Sequence, residues 1–350
     1  MACILCFAMV LSGCSAWLSG QYVNVTPYLD EEERHPNEAA VARSFEELCS
    51  ALTDLVEEGI EETVLYVTDL TDDQCTHYME DAIEQVINNT PIGAYAVDQI
   101  EFEVGTNAGK RAIAVKIQYL HNRAEILRIK QARGMSDVLE LIRLALENSD
   151  TRVVLRVQEY QEKDLAQFVQ NYVSSNPQSC MEEPQLSVAY YPETGKDRVI
   201  ELAFQYQSSR EALRSMKSLV TDIFKSAQYY VNTDAEDLEK YAQLYTFLME
   251  RYDYTYETSI TPAYSLLRHG VGDNRAFALV YMAMCRQVGL DCQMVSGTKN
   301  GEPWCWNVLK LEDTYYHVDL LECNEQGTFS LQTDENMGGY VWDYSIFATE

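Results

Sequence analysis

Residues able to do chemistry crowd into the last third of the chain. Asp319 ends the run Tyr315-Tyr316-His317-Val318-Asp319, which puts an imidazole two residues before a carboxylate on one strand face, a pairing used in proton transfer. A second histidine, His269, lies in a loop just before a helix that begins near Asn274. The strand preceding Asp319 carries Trp304-Cys305-Trp306-Asn307, whose indoles donate a hydrogen bond but hold no basic lone pair. No cysteine lies between Tyr264 and Met284, so the start of the Asn274 helix has no thiol. Each of these residues also has an ordinary structural role. Trp306 and Asn307 can pack and hydrogen-bond inside a fold, His317 can sit half-buried in one tautomer, and Asp319 can take a backbone donor. No metal spacing such as Cys-x-x-Cys occurs, and neither a metal nor a cofactor is expected.

The elements that hold these residues begin near Asp234. A long amphipathic helix carries Leu238, Tyr241, Leu244, Tyr245, Leu248 and Met249 on one stripe and ends at Arg251-Tyr-Asp-Tyr254. After a loop, Gly270-Val-Gly-Asp-Asn-Arg-Ala-Phe-Ala278 leads into a second helix that Gly289 stops. Strands at Cys292 to Ser296 and Trp304 to Leu311 flank a turn at Gly297 to Gly301, and a third runs from Thr314 to Leu320. Cys292 and Cys305 lie on the two strands of that hairpin and are candidates to face each other as a disulfide.

This order is similar to the transglutaminase-like family, which has a papain-type fold, and the match covers about a third of the chain. Family members carry Gly-Val-Cys-x-Gly-Tyr-Ala at the helix start, where the helix N-terminus stabilises a thiolate. Matching Phe277-Ala278 to Tyr-Ala places Asn274 at the nucleophile. The family's His-Ala-Trp-Asn run corresponds to Trp304-Cys305-Trp306-Asn307, so Trp304 holds the general base's position. Its Trp-Tyr-x-Val-Asp run corresponds to Tyr315 to Asp319, which keeps the orienting aspartate. The resemblance therefore implies a degenerate site, because a carboxamide forms no acyl intermediate and an indole takes no proton. Cys285 is three turns, roughly 16 Å, along the helix from Asn274. Cys305 should point to the strand face opposite Trp304. A pocket that once held an acyl substrate would leave a recognition groove around Trp304, Trp306, Asn307 and His317, for a peptide, a protein or a cell-wall component. The rival readings are an active peptidase or acyltransferase rebuilt on Asp319 with His317 or His269, and a structural spacer.

Upstream, Phe45 to Lys130 and Met135 to Lys217 repeat one order of patterns. Each opens with a helical stripe, followed by a strand (Thr63 to Val67 against Val153 to Val157), a second helix led by acidic residues, and two alternating strands. The reading is two α-β-α-β-β units, in one sheet or two, followed by the transglutaminase-like domain, an α+β chain overall. Arg123 and Arg210 recur at matching places and suit helix capping or surface pairing better than a ligand. The 24 tyrosines weakly favour a binding or spacer role for this half.

The chain has 350 residues, 47% of them hydrophobic, which is enough for about two domains with real cores. Its net charge of -29, from 55 acidic and 26 basic residues, excludes nucleic acid as a partner. Residues 1–18 are apolar and too short for a confident membrane span, and Leu11-Ser12-Gly13-Cys14 resembles the lipobox of bacterial lipoproteins. The resemblance implies a signal peptide at 1–13, a lipidated Cys14 and a tether to residue 40. It also implies anchoring at the cell surface, on the outer face of the cytoplasmic membrane. The duplicated region then occupies 41–225 and the transglutaminase-like domain 226–350. Of ten cysteines three fall in the leader; the odd seven remaining suit buried free thiols.

Overall fold

The computed structural model of the chain describes residues 41–345. Cys14, the leader and the tether lie outside the described residues. The first unit runs β1 (Val41–Ala42), α1 (Phe45–Glu58), β2 (Glu62–Val67), α2 (Asp72–Asn89), α3 (Pro91–Ala96), β3 (Val97–Asn107), β4 (Lys110–Tyr119) and the turn α4 (Arg123–Ile126). Ser44 caps α1, which buries Leu48, Leu52 and Val56 completely. Thr71 and Gln74 form a reciprocal capping box at the start of α2. The second unit runs β5 (Lys130–Gly134), α5 (Met135–Glu147), β6 (Arg152–Glu159), α6 (Leu165–Ser175), β7 (Gln185–Tyr191), β8 (Arg198–Gln205) and α7 (Arg210–Ser226).

The units form two separate sheets, ordered β1-β2-β4-β3 and β5-β6-β8-β7. In each, the first pair is parallel and the other two antiparallel. Leu65 stands opposite Ile113 in one and Leu155 opposite Ile200 in the other. The expected α-β-α-β-β order lacks one element, because each unit opens with a short parallel edge strand, β1 or β5. These strands hold two and five residues, too few to show an alternation. The strand expected from Ala94 also starts later, since Pro91 sits in the first turn of α3 and carries the chain through a helical turn to Ala96.

The helix side of the first unit packs on the open face of the second sheet. Tyr95 of α3 is fully buried there, edge-on to Tyr191, and accepts a hydrogen bond from Arg152 Nη2 at 2.8 Å. Arg156 bridges Glu57 of α1 and Asp197.

The last third comprises α8 (Asp237–Arg251), β9 (Asp253–Tyr254), the short α9 (Pro262–Tyr264), β10 (Val271–Gly272), α10 (Asn274–Gln287), β11 (Cys292–Lys299), β12 (Glu302–Leu311), β13 (Thr314–Val318), α11 (Leu320–Gln326) and β14 (Tyr340–Val341). Its sheet is ordered β13-β12-β11-β14. Helix α10 is buried from Ala276 to Cys285, which is why its sequence is apolar all round. Leu213, Val220 and Phe224 of α7 belong to the same core, so the packing of this domain begins before residue 226. Leu238 is 47% exposed and stands outside the buried stripe of α8.

Candidate functional site

The N-terminus of α10 is built first by its cap. Asp273 Oδ1 accepts from the Ala276 N–H at 2.8 Å, leaving Asn274 as the first helical residue. The two-residue pairing of β10 with β9 sets the approach, with Gly272 opposite Tyr254. Asn274 is half-buried, and its Oδ1 accepts from the Cys305 backbone N–H at 3.0 Å, which fastens the helix start to β12 beside Trp304.

Asp319 sits where β13 ends and α11 begins, and five donors converge on its carboxylate. Oδ1 caps α11 through Leu321 N–H at 3.1 Å and Glu322 N–H at 3.2 Å. Oδ2 accepts from Trp304 Nε1 at 2.8 Å, Tyr340 Oη at 2.7 Å and Lys299 Nζ at 3.1 Å. Lys299 also binds Glu322 Oε2 at 2.7 Å and lies over the rings of Trp304 and Tyr340. Burial alone would lower the Lys299 pKa, but hydrogen bonds to Glu322 and Tyr340 and the charge of Asp319 hold it above the ordinary lysine value. The same contact with Lys299 lowers the Glu322 pKa. Burial pushes the Tyr340 hydroxyl up, so it stays a donor to Asp319.

Asn274, Trp304 and Asp319 are thus brought together in a chain of contacts: Asn274 to the strand backbone next to Trp304, and the Trp304 indole to Asp319. The other groove candidates are elsewhere. Trp306, Asn307 and His317 are 1%, 0% and 0% exposed, so they line no surface groove. Trp306 packs with Val295, Val308, Met337 and Trp342. Asn307 Nδ2 donates to the Ala278 carbonyl at 2.9 Å and locks β12 onto α10. His317 Nδ1 accepts from Trp306 Nε1 at 2.9 Å, which assigns the proton to Nε2, 2.9 Å from Asp334 Oδ1. The expected shared face of His317 and Asp319 fails because β13 ends at Val318 and Asp319 turns away as a cap. His269 is exposed and lies edge-on to Tyr264.

Burial pushes up the pKa of the Cys285 and Cys305 thiols. Cys305 Sγ lies 3.6 Å from Ser296 Oγ. Cys285 is on the buried side of α10 itself. Cys292 and Cys305 do not face each other, because the register sets Cys292 against Leu309 and Cys305 against Ser296, and both thiols are free. Lys299, Glu322 and Tyr340 were not foreseen. Tyr340 lies 21 residues beyond Asp319, with no pattern to tie the two together.

A profile of the transglutaminase-like superfamily matches residues 225–320. This region is a transglutaminase-like domain. Solved structures similar to the chain include a "putative cysteine protease" from Cytophaga hutchinsonii, at 9% identity over 42% of this chain and 65% of that one, with a TM-score of 0.27. The chain therefore spans just under two thirds of that relative. Another is described as a TGase, at 10% identity over 87% of this chain and 82% of that one, with a TM-score of 0.26. Comparison with curated protein sequences gives no match. The matched segment contains every residue of the Asn274–Trp304–Asp319 arrangement and Lys299 at the end of β11, while Tyr340 reaches it from beyond that segment.

Proposed function

We propose that the chain is an exported, lipid-anchored protein whose transglutaminase-like domain is catalytically degenerate and binds a peptide, a protein or a cell-wall component. The observation that carries this reading is the 2.8 Å bond from Trp304 Nε1 to Asp319. An indole N–H satisfies the orienting carboxylate as an imidazole N–H would, but the ring offers no second nitrogen to take a proton. Opposite it, the Asn274 amide oxygen is engaged by the Cys305 N–H and is no nucleophile. A recognition role is supported by aromatic surface at the same place. Tyr254 lies 6.3 Å from the Trp304 ring, and Tyr256, 5.1 Å from Tyr254, is 87% exposed.

The rebuilt-enzyme reading has less support. Both His317 nitrogens are taken by Trp306 and Asp334, and neither His317 nor His269 is among the five donors to Asp319. The test is an assay of wild-type protein on peptide and glutamine-donor substrates, with footprinting of Trp304 by peptides and cell-wall fragments. No thiol-dependent turnover and protection of Trp304 are expected. Turnover that disappears in Asp319→Asn would overturn the degenerate reading, and an unprotected Trp304 would leave the spacer.

A further inference from the structure

Away from the Asn274–Trp304–Asp319 face, a cleft of about 480 Å³ separates α6 of the second unit from β11 and α10 of the transglutaminase-like domain. That volume falls in the range of ligand sites, which favour domain boundaries. One wall is the outer edge of β11. The Lys310 N–H donates to the Asp291 carbonyl at 3.1 Å, which fixes the parity of the hairpin. With Gln293 opposite Val308 and Val295 opposite Trp306, those residues bond across to β12, and the N–H and C=O groups of Met294 and Ser296 point the other way. On that side β14 pairs only with Thr298 and Lys299. The edge from Cys292 to Ser296 has no strand partner among the described residues. Its first carbonyl, Cys292, is already claimed from outside, by Arg286 Nε at 2.9 Å.

The facing wall has an unusual composition for so acidic a chain. Helix α6 presents Gln167, Gln170, Asn171, Ser174 and Ser175, none of them charged, and Met282 and Met294 form the floor. Arg286 stands at one end, tied to the Ser175 carbonyl at 2.9 Å, and Asp343 also lines the cleft. Amide and hydroxyl walls with an adaptable thioether floor favour a neutral, hydrogen-bonding ligand over an anion or a metal.

We propose that this cleft binds an extended, uncharged peptide segment as a strand added to the Met294–Ser296 edge of β11. Main-chain bonds to Met294 and Ser296 supply the register, and the α6 amides read the segment's other edge and side chains. The stretch from Cys292 to Ser296 spans about 13 Å at ~3.3 Å per residue, room for about four residues. The site stands whether or not the Trp304 face binds anything, since the two share no lining residue.

The experiment uses the full chain and a pool of blocked hexapeptides built from Ser, Thr, Gln and Val, beside the same peptides N-methylated at alternate residues. Amide hydrogen exchange at Met294 and Ser296 is the readout. Both amides should exchange freely in the free protein and gain protection with the plain peptides but not with the methylated ones. Ser296→Pro deletes one edge N–H that β12 does not use, gives up the Ser296 Oγ contact with Cys305 Sγ, and should weaken binding about tenfold. No protection at millimolar peptide, equal protection by the methylated peptides, or unchanged binding by Ser296→Pro would overturn the proposal. So would protection already present in the free protein, which would mean that chain beyond Asp343 holds the edge itself.

Discussion

At the scale of single residues, the site is a set of side chains that satisfy one another. Asn274→Cys would place a thiol at a helix N-terminus, where the dipole favours the thiolate. It would also strip the Cys305 N–H of its acceptor, at a cost of about 1–3 kcal/mol in stability. With Trp304 still bound to Asp319 no base is present, and the thiol should alkylate slowly at neutral pH. Asn274→Cys combined with Trp304→His restores a base that Asp319 can orient, and alkylation should speed up with a histidine-shaped pH profile. A double variant no more reactive than the single would mean that residues 274 and 304 are not within reach of each other. His317 gives a second prediction. Burial lowers its pKa, against the raising effect of Asp334. A folded value below the unfolded one, ~6.5, means the unfolded chain binds more protons in that window. Stability is then full above the unfolded value and falls as pH drops toward and through the folded one. Urea midpoints should fall more between about pH 7.5 and about 5.5 for wild type than for His317→Gln. Equal losses would show that His317 does not contribute.

At the scale of elements, the recurring arginines prove to be helix stops. Arg123 Nε donates to the Glu58 carbonyl at 2.9 Å at the end of α1. Arg210 Nε donates to the Asn148 carbonyl at 3.2 Å at the end of α5 and pairs with Asp150. Gly59, at φ +65°, gives Arg123 its place, since a Cβ there would meet Arg123 Cγ at 2.8 Å. Arg123→Ala and Arg210→Ala should each cost about 0.5–1.5 kcal/mol in urea unfolding with an unchanged m-value. Unchanged midpoints in both would reduce them to ordinary surface pairs.

At the scale of the molecule, sheets and helices alternate in a stack: the first sheet, its helices, the second sheet, its helices, and the transglutaminase-like domain. Tyr95, Arg152 and Arg156 join the first unit to the second, while Arg275 with Glu183 and Arg286 with Ser175 join the second to the domain. If the Leu-Ser-Gly-Cys run is a lipobox, the first unit is the part of this stack that follows Cys14 in the chain. Mass spectrometry of the mature N-terminus from native membranes should find Met1 to Gly13 absent and Cys14 carrying the lipid. An unmodified Cys14 there would remove the anchor.

Much of the local architecture was legible in the sequence because burial leaves periodicities. The stripe Leu48, Leu52, Val56 marks α1, the alternation Ile200, Leu202, Phe204 marks β8, and the run Trp304 to Asn307 with Asp319 marks the transglutaminase-like core. The sequence also fixed what chemistry Asn274 and Trp304 lack, since that depends on functional groups alone. Tertiary structure decided the rest. Whether His317 faced Asp319 hung on where β13 ended, a one-residue matter that sends the two side chains to different partners. Trp306 and Asn307 stood as groove candidates beside a packing role until the packing of α10 and β14 buried them. Lys299 and Tyr340 converge on Asp319 only because β14 returns to the edge of β11, and such long-range pairing leaves no local trace.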